Sequence, residues 1–230
     1  MPMINLDNHE ILILGAGHFG QQAFIKLGES FPETPITIVD RHSSALQACL
    51  DVCKHPVQTI CADGIDYLLS ESMLSRKNSL WIVPSIPVHV TFEWILAHFT
   101  RHNISYLHLP DNLLSNLPNT SLGNKGTIYM SHATFRCPDN CPEPVDRCFY
   151  TQLPRQNSLF ETLQNLTIEP YTSVVIQSHQ LMPGVGGYLL SDLYTALSQV
   201  EIAGPPVLVS TACRCHGVMN GFSWKGHLKK

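Results

Sequence analysis

The stretch Glu10–Leu14, EILIL, runs without a spacer into Gly15-Ala16-Gly17-His18-Phe19-Gly20. An apolar run that ends directly in G-x-G-x-x-G leaves few options. The chain must turn sharply off a strand and enter a helix packed close against that strand. Gly15 permits the turn, Gly17 lets backbone amides approach an anion, and Gly20 lets the helix lie near the strand. A helical pattern follows, with Phe19, Ala23 and Leu27 on one face and Gly28 as the expected stop. A second strand is expected at Ile36–Val39, closed by Asp40, twenty residues after Gly20. An acid in that place accepts from the ribose hydroxyls of an adenosine and repels a 2′-phosphate. These parts together predict a dinucleotide or adenine-nucleotide site on Gly15, Gly17, His18, Phe19, Gly20, Asp40 and Arg41, the alternative being a turn kept only for packing. The ligand is NAD, or NADP if Arg41 beside Asp40 holds a 2′-phosphate.

The alternation continues. Ser43 or Ser44 caps a helix whose packed face is Leu46, Cys49, Leu50 and Cys53, and a strand at Val57–Cys61 ends in a buried Cys61. Further strands are expected at Leu80–Val83 and Ile104–Leu109, with a helix at Val88–Phe99 between them. Strand–helix alternation of this kind predicts an α/β fold with a parallel, doubly wound, Rossmann-like core. The runs ILILGAGHFG, ITIVD and ICADGIDYL resemble the TrkA-N/RCK nucleotide-binding domains of potassium channels and transporters. The likeness covers about the first 110 residues and extends, less closely, to the NAD-binding domain of siroheme-type dehydrogenases. It implies a further acid near the nucleotide in the loop after the third strand, the place that Asp63 occupies here.

After Pro110 the character changes. Asp111–Gly126 is rich in Asn, Ser, Gly and Pro and reads as a loop, so a dinucleotide-binding domain is expected over 1–115 and a cysteine-rich α/β region over 116–230. That second region is expected to pack on the same sheet or complete it. A short strand is expected at Thr127–His132. Cys137, Cys141 and Cys148 then lie in a proline-dense segment whose backbone is pre-stiffened into turns. A strand at Ser173–Ile176, the loop QSHQLMPGVGGY and a helix at Leu189–Val200 follow. A last strand at Val207–Ser210 delivers TACRCHG, with Cys213, Cys215 and His216 in C-x-C-H spacing. Four thiolates drawn from the two segments suit zinc or an iron–sulfur cluster, and His216 can replace one of them. The alternatives are a redox-active thiol pair and plain packing.

Further residues offer other chemistry. His89 and Glu93 are one helical turn apart and suit a general acid/base pair. His179 and the glycines of Gly184–Gly187 offer a proton donor and bare amides for an anion. Arg136 and Arg155 flank the cysteines and suit an anionic substrate. The chain has no G-x-S-x-G elbow, no Walker A loop and no H-E-x-x-H, so hydrolase and ATPase readings lack support.

With 44% apolar and 14% charged residues and a net charge of −4, the composition suits a buried core and no nucleic-acid partner. No signal-peptide pattern or membrane-length apolar run occurs, which predicts a cytoplasmic protein without membrane insertion. In a reducing compartment eight cysteines favour metal or redox chemistry over structural disulfides. The leading expectation is an NAD(P)-linked redox protein, an oxidoreductase acting on a small molecule or an electron-transfer partner. The alternatives are an RCK-like nucleotide sensor assembled as a homodimer or larger ring, and a protein in which zinc only staples the structure.

Overall fold

The computed structural model describes residues 6, 8–52, 55–99, 103–155 and 157–225. Cys53, expected in the core, and the closing GHLKK lie outside the described residues. The chain is α/β. In order it forms β1 (Glu10–Leu14), α1 (His18–Ser30), β2 (Ile36–Asp40), α2 (Ser43–Val52), β3 (Gln58–Cys61), α3 (Gly64–Leu68), β4 (Leu80–Pro84) and α4 (Val90–His98). Then come β5 (Asn103–Leu107), α5 (Asp111–Leu114), β6 (Ser121–Leu122), β7 (Ile128–Ser131), α6 (Leu159–Gln164) and β8 (Thr172–Gln177). The chain closes with β9 (His179–Met182), β10 (Val185–Leu189), α7 (Leu190–Ala203), β11 (Val207–Ala212) and β12 (His216–Lys225). Among the described residues no helix is long and apolar enough to cross a membrane.

Two compact units result. The first holds Met1–Val90, Asp139–Pro142 and His179–Asp192. Its sheet has the order β3-β2-β1-β4-β10-β9, with the first four strands parallel and β10 and β9 antiparallel. Ile11, Leu12, Ile13 and Leu14 are all fully buried, as a central strand covered on both faces requires. Each such side chain stabilises by roughly 1.5–3 kcal/mol. The core continues through Ala23, Phe24, Leu27, Ile38, Leu46, Cys49, Val83, Leu181 and Val185.

The second unit holds Thr91–Pro138, Glu143–Ser178 and Leu193–Lys230. Its sheet has the order β6-β7-β12-β11-β8. One edge of the ten-residue β12 serves two partners in turn, β7 over His216–Met219 and β5 over Gly221–Lys225. The other edge pairs with β11, which runs parallel to β8. Ile128, Met130, Leu159, Leu163, Leu208 and Met219 form its core. At the β5 end of β12 an aromatic group forms, with the Phe99 ring edge-on to Phe222 at 5.5 Å and tilted against Trp224 at 4.7 Å.

The structure departs from the sequence-based expectations at several points. α1 runs past Gly28 to Ser30. A Cβ on Gly28 would lie 2.7 Å from the His55 ring, so its small size serves packing rather than termination. Phe19 is 55% exposed and leaves the core face to Ala23 and Leu27. On α2, Leu50 is exposed and the packed face is Leu46 and Cys49. Cys61 ends its strand exposed instead of buried. The strand expected at Ile104–Leu109 forms as β5 and pairs antiparallel with β12, so it belongs to the second sheet and not to the parallel set. The expected loop QSHQLMPGVGGY is the hairpin β9–β10, and the expected loop Asp111–Gly126 contains α5 and β6.

Candidate functional site

In the first unit the chain visits β1, β2 and β3 outward in one direction and then places β4 on the other side of β1. The C-terminal ends of β1 and β4 therefore flank the point where the strand order reverses, which is where open parallel sheets hold ligands. The glycine loop sits there. Gly15 N–H donates to the Val39 carbonyl at 2.7 Å, and Ser85 N–H donates to the Leu14 carbonyl at 2.8 Å, so the loop is stitched to both neighbours. Gly15 has φ +103°, and a Cβ on it would lie 2.8 Å from the Ser85 carbonyl oxygen. A Cβ on Gly20 would lie 1.9 Å from the Gly15 carbonyl oxygen. Gly17 is the opposite case: a Cβ there would meet nothing within 4 Å. Gly17 is also the N-cap of α1 and offers no side-chain cap, so the first-turn amides are left without one. His18 and Phe19 are exposed beside it, their rings edge-on at 5.2 Å.

Asp40 closes β2 against this loop. Its Oδ2 accepts the Ala16 N–H at 2.8 Å, and its Oδ1 accepts the His42 N–H at 2.8 Å and faces His42 Nδ1 at 3.1 Å. Burial works against the charged carboxylate, but these hydrogen bonds and the His42 ring outweigh it and hold Asp40 below the usual range. A carboxylate has about four lone-pair sites, and the Ala16 amide takes one of the two on Oδ2. Arg41 turns to Asp63, with Nη2 2.6 Å from Oδ2. Asp63 also caps α3, accepting from Ile65 N–H at 2.8 Å and Asp66 N–H at 3.2 Å.

The remaining candidates disperse. α4 begins at Val90, so the buried His89 stands ahead of the helix and not one turn from Glu93 within it. Glu93, in the second unit, is ion-paired with Lys125 at 2.9 Å. His179 meets the Trp81 ring edge-on at 5.8 Å, and Trp81 lies near the start of β4, the end opposite the strand reversal. Gly184–Gly187 does not precede a helix as free amides. Gly184, at φ +77°, turns the hairpin where a Cβ would lie 1.8 Å from the Asp139 carbonyl oxygen, and Gly187 lies in β10.

The cysteines divide between the units. Cys141 belongs to the segment Asp139–Pro142 of the first unit, and its carbonyl accepts from Gly184 N–H at 3.0 Å and Gln180 Nε2 at 2.7 Å. Asp139 in the same segment lies 3.7 Å from His18 Nε2. Cys137, Cys148, Cys213, Cys215 and His216 belong to the second unit. Among the described residues no group of three or more His, Cys, Asp or Glu side chains is arranged to hold a metal ion.

What the second unit does assemble is a thiol cluster on the turn from β11 to β12. Cys213 N–H donates to the His216 carbonyl at 2.9 Å and closes the turn. The amides of Cys215 and His216 each lie 3.4 Å from Cys213 Sγ, and His216 Nδ1 lies 4.0 Å from it. Burial, then the charge and hydrogen bond of Glu143, push the Cys213 thiol well up, against the smaller pull of the two amides. Glu143 is buried, has φ +44°, and accepts the Arg214 N–H at 2.6 Å. Arg155 Nη1 contacts Cys215 Sγ. Hydrogen bonds from the Thr151 side chain and backbone, with the charge of Arg155, lower the Cys148 thiol against its partial burial. Sequence spacing alone does not single out Glu143. A carboxylate between two prolines in Cys-Pro-Glu-Pro is the one local signal for Glu143.

A family described as "Uncharacterized protein, C-terminal domain" (AF_1314_C) matches residues 91–225, more than half of the chain. The match begins where the second unit begins, at Thr91. A protein of Archaeoglobus fulgidus described as "Uncharacterized protein" is 27% identical over 220 residues, covering 92% of this chain and 98% of its own length. No solved structure matches the chain.

Proposed function

The chain belongs to the AF_1314_C family, and we propose that its first unit is a Rossmann-type domain that binds a dinucleotide, NAD in preference to NADP, in the service of a redox-linked function. One observation carries the reading: Gly17 is open to solvent at the uncapped start of α1, while Gly15 and Gly20 are locked against backbone on either side of it. That leaves a bare patch of amides at the positive end of a thirteen-residue helix, suited to a pyrophosphate. The residues fit the rest of the ligand. Asp40 keeps an acceptor site for a ribose hydroxyl and presents negative charge to a 2′-phosphate. Arg41, drawn to Asp63, is engaged by a carboxylate.

A bound nicotinamide dinucleotide supplies hydride-transfer chemistry. The chain's own part is to neutralise the phosphates with amides, to orient the ribose through Asp40, and to hold the loop rigid through the Ala16–Asp40 and Ser85–Leu14 hydrogen bonds.

The test is a thermal-shift and calorimetric titration with NAD, NADH, NADP and NADPH. The expected result is saturable binding of one dinucleotide per chain, tighter for NAD(H), and a matching rise in Tm. Absence of heat and of any Tm shift at about 1 mM nucleotide would overturn it.

A further inference from the structure

We propose that Cys215 and Cys213 form a reversible dithiol–disulfide site that reacts with small disulfides, Cys215 attacking and Cys213 resolving. The proposal stands apart from the dinucleotide reading and concerns the second unit alone.

The two sulfurs share one tight turn but have opposite neighbours. Cys215 Sγ contacts Arg155 Nη1. Arg155 Nε is buried without a hydrogen-bond partner, its Nη2 reaches only the Arg147 carbonyl at 3.5 Å, and among the described residues no carboxylate pairs with it. A half-buried guanidinium so placed lacks a carboxylate as counter-charge, and a cation beside a sulfur favours its ionised form. A thiolate at Cys215 supplies that charge, and the thiolate is the reactive form of cysteine. Cys213 is hydrogen-bonded to Glu143, whose carboxylate the Arg214 amide fixes at 2.6 Å. The amides of Cys215 and His216, 3.4 Å from Cys213 Sγ, stabilise that sulfur once its proton has left.

The Cys215 thiolate attacks one sulfur of R–S–S–R, that bond breaks, R–S⁻ leaves, and a Cys215–S–S–R mixed disulfide forms. Cys213 gives its proton to Glu143 and its sulfur attacks Cys215 Sγ, expelling the second R–S⁻ and closing a Cys213–Cys215 disulfide. Two cysteines are oxidised by two electrons and the small disulfide is reduced to two thiolates. A ring closed over one intervening residue is tight, which keeps the bond open to reduction by an incoming thiol.

The experiment treats the full chain with 4,4′-dithiodipyridine, follows released pyridinethione by absorbance, and maps the products by peptide mass spectrometry. The fastest phase is expected to release about two equivalents per chain and to leave a Cys213–Cys215 disulfide. Cys213→Ser should release about one equivalent in that phase and retain the mixed disulfide on Cys215. Arg155→Met should slow the first equivalent about tenfold or more, and Glu143→Gln should slow only the second. A fastest phase on another cysteine, Cys148 included, would overturn the proposal. So would a mixed disulfide on Cys215 that Cys213 leaves unresolved, or an unchanged first rate in Arg155→Met. If Arg155→Met fails to fold, the stoichiometry and mapping of Cys213→Ser decide alone.

Discussion

The Asp40 carboxylate accepts the Ala16 N–H at 2.8 Å, so the end of β2 is tied to the middle of the glycine loop. The same oxygen pair receives the His42 amide, and both bonds favour the ionised form.

Asp40→Ala should therefore cost about 1–3 kcal/mol of stability by stranding the Ala16 amide. Asp40→Asn, which keeps an acceptor, should cost less. Urea unfolding at neutral pH checks the order. Because the folded Asp40 titrates below the ordinary 3.8, its contribution is complete above that value and is lost as pH falls through the lower, folded one. Asp40→Asn should flatten that acid limb.

Gly17→Ala and Gly20→Ala separate binding from folding. A Cβ on Gly20 meets the Gly15 carbonyl oxygen, a backbone atom that has nowhere to go, and should cost about 1–3 kcal/mol or more. A Cβ on Gly17 meets no protein atom, so stability should stay within about 0.5 kcal/mol of wild type. It should nonetheless weaken dinucleotide binding about tenfold, or 1.4 kcal/mol. Paired Tm and calorimetric measurements on both variants provide the check.

Three histidines of the second unit should make it mildly acid-sensitive, the effect kept small because each residue remains exposed. Partial burial, the largest influence on each, lowers His98, His132 and His216 below 6.5. Glu201 opposes it at His98 and Glu143 at His216, while Arg155 reinforces it at His132 and His216. The unfolded chain takes up these protons first as pH falls through about 6.5, so stability is full above that value and declines below it until the folded rings also protonate. A Tm series between about pH 8 and 5 should show the fall, and His98→Asn should reduce it.

Glu143 combines a left-handed backbone with a buried carboxylate. Glu143→Gln keeps the acceptor for the Arg214 amide and should be the mildest change. Glu143→Ala should lose about 1–3 kcal/mol. Glu143→Gly should recover about 1 kcal/mol of that by relieving the positive φ. Denaturant midpoints of the three variants give the ranking.

Local signals make the first unit readable. EILIL, the three glycines and the acid of ITIVD each act through neighbours close in sequence, and β1, α1 and β2 form where those signals stand. Long-range pairing hides the rest. NISYL has the look of one more parallel strand, but its partner is the far C-terminal run of β12, where Gly217, Asn220, Gly221 and Ser223 interrupt any alternation. Pro183 and three glycines mask β9 and β10, whose glycines serve close backbone approach: a Cβ on Gly187 would lie 2.7 Å from the Ile82 carbonyl oxygen. At the cysteines, spacing marks Cys213, Cys215 and His216 as neighbours, but it takes long-range packing to bring Glu143 and Arg155 to them.

The first unit draws its last two strands, and the four residues Asp139–Pro142, from beyond the stretch that carries its glycine loop. A fragment cut at residue 115 would leave β4 as a bare outer strand with its hydrogen-bonding groups unsatisfied, a template for aggregation. Heredity faces the same obstacle as the bench. Recombination within the gene cannot graft this unit onto another protein as one block, so its sequence is bound to that of the second unit and the two are expected to be inherited together.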